Sequence, residues 1–467
     1  MHRASSIVLL IVALFVGVGS AAGAQQSAYV VTSDFSTGGL SAANLNTRVV
    51  SSDVATVHSD ATLRWFNGLL YVINRLGQDN IQVIDPTAAF ATVRQFSVGA
   101  GSNPQDIAFK SPSHCYVSRY DRPEIGVYNP ATGAALGTIS LTAFADADGL
   151  PEMARLALVG NRLFVAVQRL NRNAGFTPTA YSLIVVVDTN ADTVLDVNPA
   201  LPGKQAIQLT LKNPVTTFAY DRDANRLLIG CAGFFGALDG GIEAVDPVAL
   251  TDLGVLTTES ALGGDIGDVE WWGATHSYAI VSDASYNAHL VSWNPATGAA
   301  LASFFTPGGF SLGDCALNDR NELWVCDNAF GAPGLFVFRA GADTLIAGPL
   351  DTGLPPMQIT FDEARAEVAT VPDGPSTLHF APPFPNPARS EVRFALTLVR
   401  AGEARIEAFD LSGRRLRTLA GGVHPAGRLE VRWALVDERG ARVPAGVYLV
   451  RATAGGTHAV RRVVVLK

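Results

Sequence analysis

Apolar residues along this chain come in short, dense runs, each followed within a few positions by a turn. The strongest are "LLYVI" (69–73), "LFVAV" (163–167), "YAIVS" (278–282) and "LWVCD" (323–327). Runs this short, rich in Val, Ile, Tyr and Phe and bounded by Gly, Asn and Asp, predict strands and not helices. A weaker run precedes each strong one, as in "DIAF" (106–109) or "TTFAY" (216–220). Behind it comes a third with a fixed ending: "IQVIDP" (81–86), "IVVVDT" (184–189), "IEAVDP" (242–247). A last alternating run such as "LGTISL" (136–141) closes the cell. Four short strands joined by tight turns predict an antiparallel meander, with Asp/Asn-Pro opening one turn because Asx caps it and proline fixes φ.

The cell repeats. Asn129–Leu136 and Asn294–Leu301 carry the same eight residues, NPATGAAL. Taking Asn44, Asp85, Asn129, Asp188, Asp246, Asn294 and Arg339 as equivalent gives spacings of 41, 44, 59, 58, 48 and 45. Periods of this size, each a cluster of short strands, predict the blades of a β-propeller. The two long cells hold insertions, "LNRNAGFTPTAYS" (170–182) and "CAGFFGALDGG" (231–241). The first cell lacks an innermost strand while "MQIT" (357–360) lacks partners, so pairing them closes a ring of seven blades. If "EVATV" (367–371) and "STLHF" (376–380) form a further blade, the number is eight.

This pattern of "YV", "IxVID" and a following Thr-Gly turn resembles the exported propellers with YVTN-type repeats, over Ala28 to about Pro372. The resemblance implies an exported binding or surface protein; related propellers act as lactonases or dehydrogenases.

After "FAPPFPNPARS" (380–390) the pattern changes. The prolines predict a stiff linker over 373–388. The runs "VRFALTL", "ARIEAFDL", "LEVRWAL", "GVYLVRAT" and "AVRRVVVLK" then predict a small Ig-like β-sandwich over 389–467, with Trp433 and Tyr448 in its core and glycines 413 and 440 in its turns. "FPNP", "FDLSGRRLRTL", "DERGARVPAGVYLVR" and the final "VVVLK" resemble the C-terminal sorting domain of type IX secretion, and equally the immunoglobulin-like domain of flagellar hook-capping proteins. The first resemblance implies delivery across the outer membrane, with removal of the domain or attachment at the surface.

Composition sharpens the address. His2-Arg3, an apolar stretch over Ile7–Val18 and Ala22-Gly23-Ala24 read as a signal peptide over 1–24, giving a mature chain that starts at Gln25. No later stretch suits a transmembrane helix. The expected location is extracellular or the outer cell surface, with the periplasm as alternative. Residues 384–467 carry a balance of +8 and the remainder −16, a contrast that supports the domain boundary at 25–372.

Candidate chemistry is sparse. Charged residues recur where the second strand of a blade ends: Asp34, Arg75, Arg119, Arg169, Asp283 and Asp327. That end opens on the face around the central channel, where a mixed ring could hold a protein, a glycan or a small polar ligand; ordinary wet loops are the alternative. Asp188, Asn190 and Asp192 have oxygen-ligand spacing for calcium, but a plain Asx turn reads equally from them, since neither Gly nor Glu stands at the expected later positions. Trp271-Trp272 and Phe234-Phe235 suggest a sugar-stacking platform, although in a strand one of each pair would be core. Cys315 and Cys326 flank a hairpin and would bridge if its turn centres on Arg320-Asn321; two buried thiols is the other reading. The eight histidines show no zinc pairing, and there is no nucleophile elbow, Walker loop or basic-aromatic patch for nucleic acid. The residues therefore predict a non-catalytic binding module, with a hydrolase holding a divalent ion in the channel as the alternative.

Overall fold

The computed structural model describes residues 26–362 apart from 180 and 330, and most of 378–466, the gaps there being 381–382, 399–401, 411–413, 426 and 455–456. The stretch read as a signal peptide lies outside the described residues, as do "EVATV" and Gly413. Nearly every element is a strand.

Among the described residues of 27–361, seven antiparallel sheets of four or five strands follow in succession, here called blades 1 to 7, with a two-stranded ribbon, Leu170–Asn171 and Thr177–Pro178, in the blade 4 insertion. In blade 3 the order from the centre outward is Pro104–Ser111, His114–Arg119, Glu124–Tyr128 and Ala135–Ser140. Blades 2, 6 and 7 repeat that plan over 61–97, 265–305 and 312–350. Blade 5 keeps it over 219–258 with a three-residue inner strand, and blade 4 splits its outer strand into Thr193–Val194 and Ile207–Gln208. The second strand is buried along almost its whole length in each blade: Leu163–Val167 and Leu323–Asp327 are buried at every position. Neighbouring sheets cover both of its faces, which is why these runs read as continuously apolar.

Blade 1 takes its inner strand from the far end. Ser27–Ser33 pairs with Gly38–Asn44 on one side and with Pro356–Phe361 on the other, Val30 opposite Ile359. The Ser27 amide donates to Asp362 Oδ2 at 2.9 Å. Closure leaves no open edge inside the ring. The segment Leu378–Phe380 is not part of an eighth blade: it pairs with Val392–Leu398 in the C-terminal unit.

The repeated Asx-Pro turn has a structural reason. Asn129 Oδ1 accepts the Ala131 amide and Asn294 Oδ1 the Ala296 amide, both at 2.9 Å. The carbonyl of the turn proline then accepts an arginine from the preceding blade: Arg94 on Pro130 (2.9 Å), Arg162 on Pro247 (2.8 Å) and Arg226 on Pro295 (3.3 Å). Gly298 closes one such turn at φ 73°, and a Cβ there would meet the Leu256 carbonyl oxygen at 2.2 Å. These turns are stitches between blades.

The cysteine bridge is a correction. All four cysteines are free and buried. Asn318 and Glu322 close a three-residue turn, so Cys315 stands opposite Val325 and Cys326 opposite Asp314. The two thiols are one position out of register and point to opposite faces, Cys315 toward blade 6 and Cys326 toward blade 1.

The C-terminal unit has two sheets, one of three strands and one of four, around a single apolar core. Trp433 and Tyr448 meet edge to face in it, centroids 5.6 Å apart. The stretch read as linker is partly sandwich, since Ala388 bridges Val465 alongside the strand Leu378–Phe380.

Candidate functional site: the loop face of the ring

Strand direction alternates, so the loop after each second strand and the loop after each outer strand emerge on the same side of the ring. The turns after the inner and third strands emerge on the other. We call the two sides the loop face and the turn face.

Asp34, Arg75, Arg119, Arg169, Asp283 and Asp327 all stand on the loop face, where the sequence places them, but they do not converge. Each is held by its own blade or the next. Arg75 pairs with Asp60 and donates to Gln105 Oε1 at 3.1 Å. Arg119 donates to the Glu124 carbonyl at 2.9 Å, and Arg169 lies over the Tyr181 ring at 5.1 Å. Asp327 accepts the Ala329 amide at 3.0 Å, and burial raises its carboxyl above the usual range. Asp34 Oδ1 accepts the amides of Ser36 (2.9 Å) and Thr37 (2.6 Å). Asp283 Oδ1 accepts those of Ser285 (2.8 Å) and Asn287 (2.9 Å), while its Oδ2 meets His289 at 3.0 Å. These bonds hold both carboxyls below the usual range, His289 contributing most at Asp283 and the Thr37 amide most at Asp34. Both aspartates shape loops.

What those loops present is aromatic. Phe35 and Tyr286 follow the two aspartates, at φ 67° and 62°, and are 78% and 59% exposed. Phe176, at φ 58° in the blade 4 insertion, is also exposed. Bulky residues rarely adopt this left-handed backbone, and it persists only where surrounding bonds impose it. Phe234 and Phe235 both turn outward, against the expectation that one is core, because they occupy a loop tip and not a strand. The Phe234 amide is held by Asp239 Oδ1 at 2.8 Å and the Gly236 amide by Asp265 Oδ1 at 2.7 Å. Trp271, by contrast, is buried, and Trp272 packs against Gly341 at the turn face.

Three of the tips meet. The Phe235 and Tyr286 rings lie 6.1 Å apart with planes 20° from parallel, and Phe310 stands edge-on to Phe235 at 6.0 Å. Asn287 ties two of these loops, its Oδ1 accepting the Gly309 amide at 3.0 Å. Under the face, buried Glu259 accepts the Gly240 and Ile266 amides at 2.7 and 2.9 Å. Burial pushes that carboxyl up to about 7, as it does Glu152, which anchors the blade 4 insertion through Leu170 and Arg172.

The inner strands add a feature the sequence reading missed. Arg64 holds Asp106 through two bonds of 2.9 Å. Asp106, Asp268, Asp314 and Gln358 occupy equivalent inner-strand positions, and each accepts an amide of the next blade: Leu156, Cys315, Ile359 and Leu63, at 2.8–3.0 Å. A bulge just before each of the three aspartates redirects its side chain. Burial raises Asp268 and Asp314, the latter also through its neighbour Asp268, and lowers Arg155. The recurring "DIA", "DVE" and "DCA" starts were the available signal.

Asp188, Asn190 and Asp192 lie on the turn face. Asp188 Oδ1 accepts the Asn190 amide at 2.9 Å, and Asp192 takes the Tyr116 hydroxyl at 2.5 Å and His114 at 3.1 Å. Among the described residues no group of three or more His, Cys, Asp or Glu is placed to hold a metal ion.

No family model matches the chain, and no curated protein does. Solved structures do. A protein of unknown function from Desulfotomaculum acetoxidans is 12% identical over 72% of this chain and 99% of its own, with a TM-score of 0.50. A protein of Bacteroides uniformis, assigned provisionally as a 6-phosphogluconolactonase, gives the same figures. Hydrazine synthase of Kuenenia stuttgartiensis is 12% identical over 65% of this chain and 90% of its own, again at 0.50. The ring is a β-propeller. At such identity the likeness speaks for the fold alone. No helix among the described residues of this propeller protein is long and apolar enough to cross a membrane.

Proposed function

We propose that this chain is an exported, non-catalytic binding protein whose recognition surface is the loop face of the propeller. One observation carries the reading. Every exposed aromatic of the described propeller residues (Phe35, Phe176, Tyr181, Phe234, Phe235, Tyr286 and Phe310) sits on that face. The exposed large apolar residues elsewhere on the propeller, such as Val93, Leu136, Leu253 and Leu345, are all aliphatic. The aliphatics Leu76 and Leu238 share the loop face, but random solvent exposure would not confine all the rings to it, and aromatic residues mark recognition surfaces. The C-terminal sandwich serves delivery or retention, a role supported by its motifs and its opposite charge.

A hydrolase is the second reading, supported by the buried, raised carboxyls of Asp268 and Asp314 beside Arg64 and Arg155 in the channel. Turnover of a lactone and ester panel by the mature chain, with and without divalent metal, separates the two. Binding predicts no turnover in any condition. Turnover that disappears in Asp314→Asn would install the hydrolase. Fractionation of producing cells tests the address: the full chain belongs in the outer-surface or culture fraction, and the chain lacking 378–467 behind the outer membrane.

A further inference from the structure

We propose that the aromatic cluster of blades 5 to 7, formed by Phe234, Phe235, Tyr286 and Phe310, is a binding site for an uncharged polysaccharide chain. The inference rests on the loop face being the recognition surface and adds the class of ligand.

Three observations point to sugar. First, the exposed apolar surface of these loops is almost wholly ring: Leu238 is the aliphatic exception. A protein-docking patch adds arginine to its aromatics, and these loops carry none, whereas the C–H faces of a pyranose need flat, electron-rich ring faces. Second, the rings are fixed before any ligand arrives. Tyr286 is locked at φ 62° by three bonds within its turn, to Asp283 from its own amide and those of Ser285 and Asn287. Phe234 and Gly236 are locked by Asp239 and Asp265. Preorganised rings bind a weakly interacting ligand without an ordering cost. Third, the charge of the sector selects against anions. Its described loops carry Asp239, Asp265, Asp283, Asp327 and Asp351 against the single lysine Lys212. The arginines Arg75, Arg119, Arg122, Arg169 and Arg172 all belong to blades 2 to 4. Carboxylates accept sugar hydroxyls well and repel uronate or sulfate groups.

The Phe235 and Tyr286 rings stack on one another, 6.1 Å apart, as one two-ring platform for a pyranose face of the chain, with Phe310 as an edge-on wall. No bond is made or broken; this is adsorption by stacking and hydroxyl hydrogen bonding.

The test is affinity electrophoresis of the full-length mature protein in native gels containing xyloglucan, galactomannan or mixed-linkage β-glucan, with alginate and polygalacturonate as anionic counterparts. Retardation by at least one neutral polymer and by neither anionic one is expected. Phe235→Ala and Tyr286→Ala should each weaken it about tenfold, one ring contact's worth, with unchanged melting, while Leu136→Ala, exposed on the outer strand of blade 3 and off the loop face, should bind as the parent does. A blank result on all three neutral polymers, binding to the anionic ones, or loss in Leu136→Ala with retention in Tyr286→Ala overturns the proposal. The reading beneath it is separable. If the neutral gels are blank but the purified parent binds isolated envelopes of producing cells and the two cluster variants bind them more weakly, the loop face recognises something and the glycan assignment alone falls. If parent and variants bind the envelopes equally or not at all, both fall.

Discussion

The two faces of the ring are made of the same strands and end in opposite ways. On the turn face the same device recurs: an Asx-capped turn whose carbonyl takes an arginine from the blade before. A second device recurs there too. His114 and Tyr116 of blade 3 clasp Asp192 of blade 4, and His276 and Tyr278 of blade 6 clasp Asp343 of blade 7. On the loop face the connections differ in sequence from blade to blade, and three of the aromatic tips gather in one sector. Repetition marks what every blade needs in order to pack against the next. Departure from it marks what the molecule presents to something else.

The same substitution on both faces breaks or upholds that division most directly. Gly298→Ala on the turn face must hold alanine at φ 73° and drive its Cβ into the Leu256 carbonyl. A loss of about 2–4 kcal/mol is expected, left-handed strain plus overpacking. Gly308→Ala on the loop face, at φ 96° with nothing within 4 Å of the new carbon, should lose only ~1–2 kcal/mol. Urea denaturation of the pair measures both, and equal losses would dissolve the distinction.

The clasps give a smaller contrast within one face. Tyr278→Phe removes a hydroxyl that donates to Asp343 and accepts the Gly341 amide, leaving that amide unpaired, for about 1–2 kcal/mol. Tyr116→Phe removes only a donor, to Asp192 and the Thr189 carbonyl, and should cost ~1 kcal/mol. The reverse order would mean the two clasps are not the same device.

How much of this the sequence disclosed follows the same line. The blades were legible because their stitches repeat: Asn129 and Asn294 open identical octapeptides, and each proline behind them accepts an arginine, Arg94 from an outer strand and Arg226 from a second strand. The channel aspartates were half legible, hidden because Asp106, Asp268 and Asp314 depend on a bulge that periodicity does not report. The cysteine pairing failed by one residue, through a three-residue turn at Asp319–Asn321 where a two-residue centre was assumed. On the loop face Asp34 and Asp283 each cap amides of their own loop. A carboxylate opening a loop looks the same in sequence whether it awaits a ligand or caps the next amide. The pair Phe234-Phe235 was discounted by strand alternation, a rule that stops where the strand stops.

Acid–base behaviour extends the comparison to the layer under the loops. Burial holds Glu152, Glu243 and Glu259 at about 7, above the ordinary 4.5. The charged groups around them are Asp148 and Arg172, Asp252, and Asp239 with Asp265, respectively. The native state therefore keeps these protons more tightly than the unfolded chain, so their contribution is complete below pH 4.5 and is lost as pH rises to about 7. The melting temperature should fall across that window. Glu259→Gln lowers it throughout, having lost one acceptor for the Gly240 or Ile266 amide, and flattens the slope. An unchanged slope would mean that Glu259 titrates as an exposed glutamate does.

The smallest effect has the opposite sign. Tyr286 is a bulky residue in a left-handed conformation, more than half exposed, with its ring resting mainly on Phe235. Its side chain contributes little to the fold and its backbone is strained by roughly 1 kcal/mol. Glycine adopts that conformation freely, though it also gives the unfolded chain more freedom. Tyr286→Gly should therefore leave stability unchanged or raise it by up to ~0.5 kcal/mol, while weakening binding by the cluster about tenfold. A residue whose removal helps the fold is retained for another reason. Should Tyr286→Gly destabilise by more than ~1 kcal/mol, the ring would be part of the packing, and the loop face would lose its claim to be built for presentation.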